Sequence, residues 1–224
     1  GCWWPWCNWW RAATSFRLQP SSSCWWWPCS ACRATPYSPA GCAAATIRRR
    51  GLAFGVAVNL SARLIEHQAL VGMVKELLAR HRLPPEALTL EVTETATLNS
   101  SGPRMQALEE LRGLGVQIAI DDYGTGLSTL EYLKKVPAHE IKIDRSFVHA
   151  ICKSPSDRLL VHSTIQLAHS MGRRVVAEGV ENRDTLNALA DMGCDLVQGY
   201  YVGKPVKLKE LRKLFLEEGQ IAAA

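Results

Sequence analysis

Two adjacent carboxylates, Asp121 and Asp122, follow an apolar run in the middle of the chain. Buried carboxylates are costly unless they are paired or bind a metal, so such a pair requires a compensating cation. Taken alone, an Asp pair is more often part of a turn or a helix cap. Glu91, Asn59 and Glu178 end other apolar runs in the same manner, which favours a divalent cation. Because all these ligands are oxygens, the pattern indicates Mg²⁺ or Mn²⁺ before Zn²⁺.

A lysine stands inside another apolar run, at Lys142 between two isoleucines. Such a lysine either extends its long side chain from a strand edge to solvent or takes part in chemistry. Beside carboxylates that bind metal, its ammonium would polarise a nucleophilic water or hold it in line. Two further acids have alternatives of their own. Glu94 either caps a helix or holds a loop over the site, and Glu181 is equally suited to the first turn of a helix.

Short runs rich in β-branched residues alternate with helical patterns from about Gly51 onward. The predicted strands are 55–58, 88–92, 116–120, 140–143, 174–177 and 195–198. The predicted helices are 66–82, 104–113, 128–135, 157–171, 182–192 and 207–218. Repeated strand-then-helix units predict a parallel sheet.

The polar residues named above lie at or near the carboxyl ends of the predicted strands. In a (β/α)8 barrel these ends converge on one site. A doubly wound sheet usually carries a glycine-rich phosphate loop after its first strand, and this sequence has none. The predicted fold is therefore α/β, a TIM-like (β/α)8 barrel with about six recognisable βα units that is incomplete at the N-terminus.

The beginning of the chain differs in composition from the remainder. All eight Trp lie between Trp3 and Trp27, and six of the eight Cys lie between Cys2 and Cys42. From Glu66 onward there are 19 basic and 21 acidic residues, so the overall charge of +5 comes from the residues before it. The part with strand-and-helix patterning thus lacks the basic bias of a protein that binds a nucleic-acid polymer.

Cysteine usage and hydropathy bear on location. Cys29 and Cys32 have the spacing of a zinc pair, but the first 42 residues contain no His and no second pair at matching spacing. Cys152 and Cys194 are too few for a disulfide framework, which favours a reducing, cytoplasmic compartment. No run of 18 apolar residues occurs, and we expect no membrane span in this chain.

Six stretches of the sequence, taken together, are similar in type and order to the motifs of one family. They are Val58-Asn59-Leu60-Ser61-Ala62-Arg63, Glu91-Val92-Thr93-Glu94, Ile120-Asp121-Asp122-Tyr123-Gly124-Thr125-Gly126, Ile141-Lys142-Ile143-Asp144-Arg145-Ser146-Phe147-Val148, Val176-Ala177-Glu178-Gly179-Val180-Glu181 and Gln198-Gly199-Tyr200. Over residues 43–216 the chain resembles the EAL family of cyclic di-GMP phosphodiesterases.

The resemblance implies a TIM-like barrel that hydrolyses cyclic di-GMP to linear pGpG with two Mg²⁺ or Mn²⁺ ions. The implied ligands of the first ion are Asn59, Glu91 and Asp121, and those of the second are Asp121, Asp122 and Glu178. Lys142 would assist the water, and Gln198 would orient water or phosphate. The implied contacts to the substrate or to the loop over the site are Glu94, Glu181 and Arg63. The resemblance leaves open a homodimer and an upstream GGDEF or sensory domain.

One departure from the family's pattern concerns its namesake Glu-Ala-Leu, which should precede Asn59 near the start of this chain. No Asp or Glu occurs before Glu66. We therefore expect residues 1–42 to be an atypical Trp- and Cys-rich segment, poorly ordered and foreign to the family, and residues 43–224 to be the EAL domain. A change of reading frame would explain that segment, and a genuine insertion or Trp-rich binding surface is the alternative.

Two functions follow from this pattern. The first is phosphodiesterase activity, which this chain as written would perform weakly or not at all because a ligand Glu and a substrate-contacting Arg are missing. The second is an inactive EAL module that binds nucleotide or a partner protein.

Overall fold

The computed structural model describes residues 55–94, 102–124 and 130–206, with side chains for all of these except 130–132. The strands are β1 (Val56–Leu60), β2 (Leu88–Thr93), β3 (Gln117–Tyr123), β4 (Glu140–Ile143), β5 (Arg174–Glu178) and β6 (Leu196–Gln198). The helices are α1 (Ala62–Ile65), α2 (Leu70–His81), α3 (Pro103–Gly113), α4 (Leu130–Lys135), α5 (Arg145–Ala150), α6 (Pro155–Ser170) and α7 (Arg183–Asp191), with a 3-10 turn at Pro85–Ala87. The predicted segment 1–42, the loop residues Thr125 and Gly126 and the helix predicted at 207–218 lie outside the described residues.

The six strands form one parallel sheet in the order β1 to β6. Each strand is hydrogen-bonded to the next one along the chain, with no reversal of order. A doubly wound sheet requires such a reversal, whereas a (β/α)8 barrel requires sequential order. The predicted partial TIM-like barrel is therefore confirmed, and its described part comprises six βα units.

The core lies between the sheet and its covering helices. All four residues of β4 are buried, as expected for a parallel strand covered on both sides. On α3, Leu108 and Leu111 are fully buried, and Met105 and the C-cap residue Leu114 pack against the core. Burial of each such leucine side chain contributes about 1.5–3 kcal/mol relative to exposure.

The largest differences from the predicted elements are two boundaries and one additional helix. The helix expected at 66–82 begins only at Leu70, after the separate short helix α1 that ends at Ile65. The strand expected at 116–120 continues to Tyr123, so both of its carboxylates belong to β3 itself. The helix α5 has no counterpart in the prediction. Among the described residues, no helix is long and apolar enough to cross a membrane.

Candidate metal and catalytic centre

The centre of the site is a buried lysine surrounded by carboxylates. Lys142 of β4 is 1% exposed, and its Nζ lies 2.5 Å from Asp121 Oδ1 of β3 and 2.5 Å from Glu178 Oε1 of β5. Its distance to Glu91 Oε1 of β2 is 3.2 Å. Four strands thus contribute one side chain each. The alternative of a lysine that reaches solvent is wrong, because the neighbouring strands cover it on both sides.

Three carboxylates are close enough to share a cation. One oxygen from each of Asp121, Asp122 and Glu178 can be chosen so that all lie within 4.8 Å of one another. Oxygen ligands placed about 2.0–2.6 Å from a divalent cation have mutual separations in this range. The donor set is made of oxygens alone and suits Mg²⁺ or Mn²⁺. The residues present therefore fit a divalent metal ion.

The raised pKa values of two of these carboxylates also favour a cation at this site. Burial, and then the negative charge of Asp121, raises the pKa of Asp122 above its usual range. Burial also raises the pKa of Glu178, and the ammonium of Lys142 only partly opposes this. Crowded carboxylates whose protonation is favoured in this way are stabilised by additional positive charge.

The lysine itself remains protonated. Burial alone would lower the pKa of Lys142, but Glu91, Glu178 and Asp121 outweigh burial and raise the pKa above its ordinary value. A side chain held in this state donates hydrogen bonds and positive charge and does not accept a proton. Lys142 is therefore placed to orient water or a phosphate oxygen by donating hydrogen bonds.

The backbone at Asp122 is unusual. Its φ is +55°, in the left-handed region of backbone conformation that residues other than glycine rarely adopt. Asp and Asn tolerate this conformation better than other residues do. The turn in β3 allows Asp121 to be buried at 8% exposure while the adjacent Asp122 is exposed at the mouth.

Gln198 ends β6 and is the register partner of Glu178. Its Oε1 is buried and has no hydrogen-bond partner among the described residues. An unsatisfied buried acceptor costs free energy unless water or a ligand reaches it. Gln198 lies at the position expected from the sequence, at the carboxyl end of its strand and beside the candidate metal ligand Glu178. The Oε1 acceptor is available to water or a ligand at the site.

Three other predicted site residues differ in how deeply they are buried. Glu94 directly follows β2, has helical backbone conformation and is 2% exposed, so its side chain lies within the protein. Asn59 is the register partner of Glu91 but is exposed within β1. Arg63 is exposed on α1 and forms no ion pair with the acidic cluster within the described residues.

Glu181 lies apart from the carboxylate cluster. Its Oε2 is 3.9 Å from His149 Nδ1, on the surface beyond β5. The alternative of a first-turn acid is wrong, because α7 begins at Arg183 with Asn182 as its N-cap, and Asp184 is the acid in its first turn.

One component of the site was missed in the sequence. Asp144 follows β4 and caps α5, where its carboxylate accepts a hydrogen bond of 2.9 Å from the backbone N–H of Ser146. These hydrogen bonds lower the pKa of Asp144 although its partial burial opposes the shift. An Asp immediately before a short helical run is the ordinary signal of a helix N-terminus, so the sequence alone could have predicted this cap.

An all-parallel sheet in sequential order, with acidic side chains and one lysine near the carboxyl ends of its strands, defines a partial (β/α)8 barrel with a candidate metal site at its mouth. Residues 42–205 match the EAL domain family, and the chain belongs to it.

Individual relatives support this assignment. The bifunctional diguanylate cyclase/cyclic di-GMP phosphodiesterase MucR of Pseudomonas aeruginosa is 40% identical over 158 residues, which is 70% of this chain and 23% of MucR. The EAL domain of Mycobacterium smegmatis DcpA superposes with a TM-score of 0.75 at 32% identity, covering 80% of this chain and 82% of that structure. The manganese and cyclic di-GMP complex of Klebsiella pneumoniae BlrP1 gives a TM-score of 0.66 at 31% identity, covering 72% of this chain and 41% of that one. The chain spans only 21–23% of the length of the first curated relatives that it matches.

Proposed function

We propose that this EAL domain hydrolyses cyclic di-GMP to linear pGpG. The observation that carries the proposal is the convergence of Asp121, Asp122 and Glu178 within 4.8 Å of one another, beside the buried ammonium of Lys142. Family membership supports the substrate, since relatives of this chain are named as cyclic di-GMP phosphodiesterases.

Two divalent cations, Mg²⁺ or Mn²⁺, are part of the proposal. Asp121, Asp122 and Glu178 would hold one of them, and Asn59, Glu91 and Asp121 would hold the other. When bound, such ions activate water and stabilise negative charge on the reacting phosphate.

The chain's own residues then position the reaction. The hydrolysis forms a bond between a water oxygen and phosphorus and breaks the P–O3′ bond, and the proton from water ends on the departing 3′ oxygen. Lys142 would orient the attacking water or the phosphate by donating hydrogen bonds. Gln198 Oε1, which is buried without a partner among the described residues, would accept a hydrogen bond from that water.

The supporting residues are assigned by position. Glu94 would secure the loop that follows β3, and Arg63 and Glu181 would contact that loop or the substrate. An upstream GGDEF or sensory domain is part of the proposal, because the curated relatives are several times longer than the matched region. A homodimer is included on the family resemblance alone.

The second candidate is an EAL module that binds nucleotide or protein without turnover. One observation favours it for the chain as written: no Asp or Glu precedes Glu66, so the family's Glu-Ala-Leu carboxylate has no counterpart here. We propose accordingly that residues 43–224 carry the function and that residues 1–42 contribute nothing to it.

Hydrolysis assays on two proteins test these proposals. The chain as written, and a version whose first 42 residues are replaced by a family-like segment with Glu-Ala-Leu, are incubated with cyclic di-GMP and Mn²⁺. The restored protein should produce pGpG, EDTA should abolish production, and the chain as written should remain near the detection limit. Tight binding of cyclic di-GMP without turnover by the restored protein would favour the binding module instead. Equal rates for the two proteins would show that residues 1–42 are functional.

A further inference from the structure

The short helix α5 packs against both of the loops that follow the acidic strands β3 and β5. It begins two residues after Ile143, the end of β4, so it lies behind the site between these two loops. Each contact is made to a glycine, Gly124 after Asp122 and Gly179 after Glu178.

The first contact joins Phe147 to Gly124. A Cβ placed on Gly124 would lie 2.8 Å from Cε2 and 3.3 Å from Cζ of the Phe147 ring. The ring therefore lies directly on the glycine Cα and leaves no room for a side chain. Gly124 has φ +103° and Asp122, two residues earlier, has φ +55°. Glycine adopts positive φ freely, whereas Asp122 at positive φ persists where its surroundings support it, and the Phe147 ring lies against this turn.

The second contact joins Arg145 to Gly179. A Cβ on Gly179 would lie 2.5 Å from the Cβ and 3.3 Å from the Cα of Arg145. Gly179 has φ +73° and immediately follows Glu178. The partly exposed pair of His149 and Glu181, at 3.9 Å, adds a further contact between the same helix and the same loop.

We propose that α5 sets the separation of the Asp122 and Glu178 carboxylates, and that Phe147 is a positioning residue for metal binding. Phe147 acts through Gly124 on the backbone of Asp122, and Arg145 acts through Gly179 on Glu178. This inference rests on the metal site of the proposed function. Its physical basis is that a rigid element in contact with both loops keeps their relative positions constant.

The test measures the binding of Mn²⁺ alone, without nucleotide, by titration calorimetry on the full chain. Phe147→Ala should weaken Mn²⁺ about tenfold, the lower end of the range for groups that orient metal ligands. Leu186→Ala is the matched control, because Leu186 is also a partly buried apolar residue on a short helix and is not among the groups closest to Gly124 or Gly179. It should lower the melting temperature and leave the Mn²⁺ Kd unchanged. Equal Mn²⁺ affinity in wild type and Phe147→Ala, or equal losses in both variants, would overturn the proposal.

A double-mutant cycle isolates the contact itself. Gly124→Ala should weaken Mn²⁺ because its methyl group meets the Phe147 ring and because φ is positive there. In Gly124→Ala/Phe147→Ala the ring is gone, so the combined loss should be clearly smaller than the product of the two single losses. Multiplicative losses would mean that the two residues act independently, contrary to the proposal. Phe147→Leu, which retains most of the apolar volume, serves if Phe147→Ala does not fold, and it should lose less affinity.

Hydrogen exchange on the metal-free chain separates this proposal from the proposed function. In Phe147→Ala, peptides that contain residues 122–124 should exchange faster than in wild type, and in Leu186→Ala they should not. Unchanged exchange would refute the positioning role even if Mn²⁺ binds. Wild type that binds no Mn²⁺ would instead refute the metal site of the proposed function, and the inference that rests on it.

Discussion

Lys142 forms an ion pair with Glu178, although the two residues are not register partners in the sheet. Its register partner on β5 is Val176, yet its Nζ lies 2.5 Å from Glu178 Oε1, two residues nearer the carboxyl end of that strand. The long lysine side chain thus extends along the sheet toward the mouth, where Asp121 and Glu91 also meet it. A single buried ammonium therefore stabilises carboxylates from three other strands.

Replacement of this lysine should destabilise the metal-free protein. In Lys142→Met the carboxylates lose their buried counter-charge, and removing one partner of a buried ion pair costs about 3–5 kcal/mol. Thermal unfolding in EDTA should show a lower melting temperature than wild type. Added Mn²⁺ should raise the melting temperature of the variant by more than that of wild type, because the cation replaces the missing charge. Lys153→Met, at an exposed position, is the control. An unchanged melting temperature in EDTA would contradict the ion-pair assignment.

Asp121→Asn should lower hydrolysis by the restored protein more than Glu94→Gln does. Asp121 is assigned to both ions and contacts Lys142, whereas Glu94 is assigned to the loop. Losses from residues that support ligands are typically 10- to 100-fold, so Glu94→Gln should fall in that range and Asp121→Asn should exceed it. Measured kcat values at saturating Mn²⁺ decide the matter, and equal losses would refute this division of roles.

The stability of the chain should decrease in mild acid through His139. Its Nδ1 accepts a hydrogen bond of 3.1 Å from the backbone N–H of Ile118. Burial, and then Arg112, Arg174 and Arg173, lowers the pKa of His139 below its ordinary value of 6.5. The unfolded chain therefore binds the proton first, and the contribution of His139 is complete above pH 6.5 and is lost as the pH falls below that value.

Denaturant unfolding at several pH values checks this expectation. His139→Asn retains an acceptor without a titrating group, so the fall in unfolding free energy below pH 6.5 should be shallower than in wild type. His162→Asn, at an exposed position, is the matched control and should retain the wild-type slope. An identical slope in all three proteins would show that His139 is not responsible.

At the opposite end of the strands, Asp195 should stabilise the fold without affecting the site. Its Oδ2 accepts hydrogen bonds from Val175 N at 2.8 Å and from His169 Nε2 at 2.7 Å. Asp195→Ala leaves the Val175 N–H without its partner, which costs about 1–3 kcal/mol. His169→Ala removes only the partly exposed pair and should cost at most about 1 kcal/mol. Chemical denaturation measures both losses, and Mn²⁺ affinity should remain at the wild-type value in each. A weaker Mn²⁺ affinity would place Asp195 in the site.

The sequence by itself determined the class of fold and supplied the candidate residues of the site. Glu91, Asp121, Glu178 and Gln198 are visible as polar residues at or near the carboxyl ends of apolar runs, and parallel strands covered on both sides are otherwise mostly apolar. Sequential βα units then require the strand ends to face one side. That Lys142 is chemically important also followed from its apolar neighbours, although solvent exposure remained an equal alternative at that point.

Only the tertiary structure decided which of these residues meet. Asp121, Glu178 and Glu91 come together on Lys142 because of strand register and the reach of a lysine side chain, neither of which is encoded in local periodicity. The left-handed backbone of Asp122 and the contact between Phe147 and Gly124 depend on packing between segments distant in sequence. The helix α5 escaped prediction because six residues are too few to show a helical period, and its position between two loops is fixed by contacts that exist only once the sheet has formed.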